Sequence, residues 1–173
     1  MLVFSARLGS RSGSEGAYDL LRFAYKSYNY DDMPEIKKTP NGKPYFPDRS
    51  GVHFSLSHSR SHALCAISSM PVGCDIESED RKISIRAMRF FCTAEELEHF
   101  TPLDLWILKE SYIKLFGLTF ADLRRQYFSL ESTAIILPDS SVSSKIYSID
   151  GCRAAICSLS GSLPDSITQV CLQ

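Results

Sequence analysis

The segment from Thr101 to Gly117, TPLDLWILKESYIKLFG, limits the fold more than any other part of the chain. Thr101 suits an N-cap, Pro102 a first turn and Gly117 a helix end, so the segment is expected to be one helix. Leu103, Leu105, Ile107, Leu108, Tyr112, Leu115 and Phe116 cover most of its surface. A helix apolar on so many sides must be buried among other elements. Glu110 and Lys114 stand four apart on one face, flanked by Trp106 and Ile113. On an exposed helix such a pair is routine and contributes about 0.3 to 0.5 kcal/mol. Among these apolar neighbours, the acid and the base are expected to face something specific.

What packs around that helix follows from the rest of the chain. A chain of 173 residues suits one domain. Leu2–Ala6 reads as a strand, and Gly9–Gly16 as a loop leading to a helix with a Leu20, Leu21, Phe23, Ala24 stripe. TPNGKPYFPDRSG is loop by its Pro and Gly content. VHFSLSHS alternates, with Val52, Phe54 and Leu56 on one face and His53, Ser55 and Ser57 on the other, as in a half-buried strand. HALCAISS and PVGCDIE are further strands, Ile83–Phe91 a helix, and Thr93 with Glu96 a capping box opening a short helix. The remainder reads as strands and turns, with IDG as a hairpin signal. Helices and antiparallel strands mix without strict alternation, so the class is α+β. Leu64–Ser68 and Ile156–Ser160 can be aligned, an internal similarity that could reflect duplication or the chance likeness of short apolar strands.

Charge names no partner: 19 basic residues face 20 acidic ones, without the excess a nucleic-acid binder usually carries. Six cysteines without a C-x-x-C pair read as buried free thiols in a reducing compartment, and no span or secretory leader is visible. The expectation is a soluble, cytoplasmic protein that binds neither nucleic acid nor membrane.

On a strand, Asp75 and Glu77 project from one face and Ile76 from the other. Taken alone, the pair is either a solvated strand end or two ligands for a hard cation such as Mg2+. His58, between Ser57 and Ser59, is either a locally satisfied turn residue or, with Ser57 and Lys43 of the G-K-P loop, a donor to phosphate oxygens. His58 and His62 are four apart across a turn rather than on a helix, which argues against a zinc pair, and no Gly-x-Ser-x-Gly elbow supports a hydrolase triad.

In their order, GKPYF, VHFSLSHS, PVGCDIE, RFF with TAEEL, and WILKESYIKLFG resemble the 4'-phosphopantetheinyl transferase family, in its monomeric surfactin-activator type, from about Asn41 to Gly117. The resemblance implies two similar α+β lobes in one domain, approximately 1–72 and 73–173, with the active site between them. It implies transfer of the phosphopantetheine arm of coenzyme A to a serine hydroxyl of an acyl or peptidyl carrier protein, with Mg2+ as cofactor and adenosine 3',5'-bisphosphate as product. Carried over by motif, Asp75, Glu77 and Glu110 would hold the metal, Glu110 and Lys114 would be catalytic, and Lys43, Ser57 and His58 would bind coenzyme A. Lys109 matches the other motif lysine. Arg81, Lys82, Arg86 and Arg89 are candidates to meet an acidic carrier. Larger members carry a longer basic segment before GKPYF; here about forty residues precede it, with Arg7, Arg11, Arg22, Lys26, Lys37 and Lys38 available for the 3'-phosphate. A Mg2+-dependent nucleotide phosphohydrolase and a non-catalytic carrier-binding relative are the alternatives.

Overall fold

The structure is a computed structural model and describes residues 1–29, 32–159 and 161–172. Its elements run β1 (Leu2–Arg7), α1 (Gly13–Asn29), β2 (Lys37–Lys38), β3 (Pro44–Tyr45), β4 (His53–His58), β5 (His62–Ser68) and β6 (Val72–Ser78). Then follow α2 (Ile85–Phe91), α3 (Ala94–His99), α4 (Pro102–Phe116), a 3-10 helix (Phe120–Arg125), β7 (Ser129–Glu131), β8 (Ala134–Ile136), β9 (Ser143–Ile149), β10 (Cys152–Ser158) and β11 (Thr168–Val170). The α+β class is as expected.

Two sheets carry the fold. The first has the order β11-β1-β5-β4, antiparallel except where β11 runs parallel to β1; the second is antiparallel, β6-β10-β9. Strand alternation sorts the core into layers. Ala63, Cys65 and Ile67 of β5 face α1, with Leu20, Leu21 and Tyr25, whereas Leu64 and Ala66 face the second sheet. Val72, Cys74 and Ile76 of β6 meet them there, as do Ala154 and Ile156 of β10. Ala155 and Cys157 of β10 point the other way, into the α4 cluster with Leu105, Ile107 and Leu108. The order is therefore α1, first sheet, second sheet, α4. That order explains how both faces of β5 can be buried, with no residue from His62 to Ser68 left accessible.

Several local expectations are corrected by this packing. Helix α1 starts at Gly13, inside the expected loop, because Ser12 and Glu15 cap it: the Ser12 amide donates to Glu15 Oε2 at 3.0 Å and the Glu15 amide to Ser12 Oγ at 3.3 Å. Phe23 lies outside the buried stripe, which is completed instead by Ala17 and Tyr25. The polar side of β4 is not solvated, because it faces β6: Ser55 Oγ accepts from the Cys74 amide at 3.0 Å. Cys65, Cys74, Cys152 and Cys157 are buried free thiols as expected, but Cys171 is exposed and Cys92 half-buried. The aligned segments begin on β5 and β10, each an inner strand packed on its sheet's helix; Leu159 lies past the end of β10, and Ser160 falls outside the described residues. The IDG hairpin joins β9 to β10, with Asp150 at φ 46° and Gly151 at φ 75°, the pair of positive values a type I' turn requires. No described helix is long and apolar enough to cross a membrane.

Candidate active site

Gly73 sets the site. A Cβ on it would lie 2.0 Å from the Ser111 carbonyl oxygen and 2.4 Å from the Leu115 amide nitrogen, so only glycine lets β6 approach the α4 backbone this closely. Asp75 and Glu77 share the Gly73 face of β6 and are thereby presented to the α4 face that carries Glu110 and Lys114. The helix is held in place as read: Thr101 Oγ1 accepts from the Asp104 amide at 3.1 Å, Pro102 occupies the first turn, and Gly117 closes the end at φ 66°.

Lys114 Nζ donates to Asp75 Oδ1 at 2.7 Å and to Ser57 Oγ at 3.1 Å, and the Ser57 hydroxyl donates to the same Oδ1 at 2.6 Å. Asp75 is buried, and its other oxygen, Oδ2, has no hydrogen-bond partner among the described residues. Glu77 is ion-paired to Arg81, whose guanidinium lies 4.7 Å from the centre of the Trp106 ring. Burial pushes the Glu110 pKa up, and the negative charge of Asp75 adds to this against the opposing cations Lys114 and Arg81. Burial acts most strongly against the Lys114 charge, but Asp75, Cys74 and Glu110 together more than offset it and hold the ammonium above the ordinary lysine range.

The remaining expected residues lie at two separate places. Lys43 Nζ donates to the Leu115 carbonyl at 2.5 Å and Asn41 Nδ2 to the Gly117 carbonyl at 3.0 Å, so the G-K-P loop caps the C-terminus of α4. Burial lowers the Lys43 pKa to about 8. Lys43 and Lys114 both line a cavity of about 200 Å³ with Pro44, Ser55 and Leu56. His58 points to the opposite face of β4 from Ser57. Its ring lies against the first turn of α1, where a Cβ on Gly13 would be 2.3 Å from Nδ1.

Three of the expected ligand and catalytic residues, Asp75, Glu110 and Lys114, are thus coupled electrostatically, with Glu77 on the same strand face. Among the described residues, no three His, Cys, Asp or Glu side chains converge closely enough to hold a metal ion as they stand; Glu77 is ion-paired to Arg81 and one Asp75 oxygen to Lys114. The donor chemistry nonetheless fits Mg2+: a buried, unpartnered carboxylate oxygen on Asp75 and the like-charge pair it forms with Glu110 both suit a hard dication.

Sequence reading missed two partnerships. Arg81, assigned to a docking surface, belongs to Glu77. Lys109 does not reach the site: it is buried, donating to Glu96 at 2.9 Å and to the Phe91 carbonyl at 2.5 Å, while Glu96 also accepts from the Phe128 amide at 2.9 Å. The i,i+4 spacing of Glu77 and Arg81 was visible, but their turn is not regular helix. The capping-box Glu96 gave no sign that its carboxylate is fully enclosed.

A buried carboxylate held by a lysine and a serine hydroxyl, beside a second acid of raised pKa, is an arrangement suited to phosphate-ester chemistry. The chain belongs to the 4'-phosphopantetheinyl transferase superfamily, whose family profile matches residues 71–161. It is similar to 4'-phosphopantetheinyl transferase Sfp of Bacillus subtilis strain 168, 35% identical over 149 residues that cover 75% of this chain and 65% of that protein. A 4'-phosphopantetheinyl transferase of Bacillus subtilis is 39% identical over 85 residues, or 44% of this chain and 38% of that one. The gsp transferase of Aneurinibacillus migulanus is 37% identical over 92 residues, 47% of this chain and 38% of that one. The chain thus spans just under two thirds of the first of these relatives and less of the others.

Proposed function

We propose that this protein transfers the 4'-phosphopantetheine arm of coenzyme A to a serine hydroxyl of an apo acyl or peptidyl carrier protein and releases adenosine 3',5'-bisphosphate. The observation that carries this reading is the coupled set Asp75, Glu110 and Lys114 on the facing surfaces of β6 and α4, inside the segment that matches the family. The carrier serine Oγ forms a bond to the phosphorus that bears the pantetheine arm, and the bridging P–O bond of the pyrophosphate breaks. The electron pair leaves on the phosphate of the nucleotide.

Glu110 accepts the serine proton, directly or through a water. Its raised pKa moves it from a weak base toward one matched to neutral pH. Lys114 stays protonated and offsets charge on the departing phosphate. Asp75 and Glu110, with Glu77 once Arg81 releases it, would hold Mg2+, which when bound neutralises the pyrophosphate charge. Lys43 and Ser57 border the α4 side of the coenzyme A site, and His58 extends it toward α1. The exposed Lys82, Arg86 and Arg89 suit an acidic carrier surface. The two sheets, each with its own helix, fit a description of two similar lobes in one domain, about 1–72 and 73–173, with β11 returning to the first sheet. The buried free thiols favour a reducing, cytoplasmic setting.

Mass spectrometry of an apo carrier incubated with this protein, coenzyme A and Mg2+ is expected to show the added mass of one phosphopantetheine arm. No adduct on carriers of fatty-acid, polyketide and peptide synthesis would overturn the reading, and coenzyme A cleavage without any carrier would replace it with a hydrolase. Glu110→Gln is expected to lower kcat by about 100-fold or more with an unchanged far-UV spectrum, the loss typical for a general base.

A further inference from the structure

We propose that Arg81 is an internal counter-ion that competes with the divalent cation for Glu77, so that metal binding releases the guanidinium while it stays against Trp106. The inference rests on the metal assignment made under the proposed function.

The turn that follows β6 places Arg81 where it can do this. The Arg81 amide donates to the Ser78 carbonyl at 3.0 Å, and the Glu79 amide donates to the Gly151 carbonyl at 2.9 Å. These bonds hold the backbone of the turn and fold residue 81 back over residue 77, so an exchange at Glu77 needs a change of the arginine side chain and not of the turn. The Arg81 side chain is 37% exposed, against 16% for Glu77, so the cation is the more accessible of the two and can turn toward solvent. Trp106 provides the resting place: a guanidinium over an indole face retains a favourable contact after the carboxylate is lost.

The charges favour an exchange. Asp75, Glu77 and Glu110 meet Lys114 and Arg81, and both cations already lower the cost of ionising Glu110. Lys114 donates directly to Asp75 and to Ser57, whereas Arg81 makes one close carboxylate contact among the described residues, to Glu77, beside its contact with the ring. Arg81 is therefore the cation that yields. A guanidinium paired to Glu77 already neutralises much of the charge that a metal ion would draw on, and both positive groups repel each other there, so each weakens the binding of the other.

Trp106 is the sole tryptophan of the chain and sits under the moving group, so it reports the exchange without any turnover. Mg2+ alone, titrated without coenzyme A or carrier, is expected to shift Trp106 fluorescence in the wild type. By calorimetry, Arg81→Met is expected to bind Mg2+ about two- to fivefold more tightly, the worth of one partly exposed ion pair. Its tryptophan signal should no longer follow the titration. Arg81→Lys, which keeps the charge but loses the fork and much of the stacking, should bind with intermediate affinity. Unchanged or weaker Mg2+ binding by Arg81→Met would overturn the proposal, as would a wild type that binds no Mg2+ or whose Trp106 ignores it. Because no carrier is present, these outcomes leave the transferase reading to its own mass-spectrometric test.

Discussion

At the residue scale, neighbours one position apart on α4 do opposite work. Lys109 is 1% exposed and Glu96 fully buried, and their ion pair satisfies the Phe91 carbonyl and the Phe128 amide as well. Breaking such a pair leaves a charge buried without a partner, which costs about 3 to 5 kcal/mol. Lys109→Met is therefore expected to lower the unfolding free energy by about that amount in urea titration, and adding Glu96→Gln should recover part of it. Glu110 is spared that demand, and its burial instead raises its pKa. The carboxylate is the working form of a base, so activity should fall with acid through a pKa above that of an ordinary glutamate. The acid limb of a kcat/KM profile against pH tests this, and a limb at the ordinary value would remove Glu110 as the base.

At the scale of elements, the site depends on how closely β6 and α4 meet. Gly73→Ala forces a methyl group into the α4 backbone, which cannot yield as a side chain could. Overpacking of this kind costs about 1 to 3 kcal/mol. Thermal unfolding should show the loss, and the remaining folded protein should have lower kcat because Asp75 is displaced from Lys114. The loop around Lys43 joins the other end of α4 to the same cavity. Its ammonium, with a pKa lowered to about 8, loses its proton as the pH rises through that value. If Lys43 meets coenzyme A phosphate, KM for coenzyme A should rise above pH 8 while kcat holds, and Lys43→Met should have high KM on both sides of that pH.

Across the whole molecule, the two sheets are tied at one end by side chains as well as by their shared core. Asp150, in the β9–β10 turn, takes Arg7 Nε from β1 at 2.8 Å and His62 Nε2 from β5 at 3.3 Å. The hydrogen bond from Arg7 is the main cause of the lowered Asp150 pKa. A carboxyl whose folded pKa is depressed contributes stability above its unfolded pKa and loses it as the pH falls through the folded one. Wild type is therefore expected to lose stability at acid pH more steeply than Asp150→Asn. Hydrogen exchange in β5 and β10 should be faster in that variant near neutral pH, and equal rates would mean that the apolar core alone joins the sheets.

The capped helix from Thr101 to Gly117, the Thr93–Glu96 box, the strands of the middle of the chain and the Asp-Gly hairpin were all legible in residue order, because caps, turns and period-2 alternation are local chemistry. So were the acids and lysines worth following. The start of α1 is equally local, in Ser12 and Glu15, but the glycine and serine content of the same stretch signals a loop and masks the cap. What the chain alone determined was this set of elements and candidate groups; the tertiary structure decided which charge meets which. Burial of the polar β4 face, the choice of Lys114 for Asp75 and Arg81 for Glu77, and the removal of Lys109 to an enclosed pair with Glu96 all follow from surfaces far apart in sequence packing in layers. Pairing energy depends on distance and dielectric, and neither exists until β6 lies against α4.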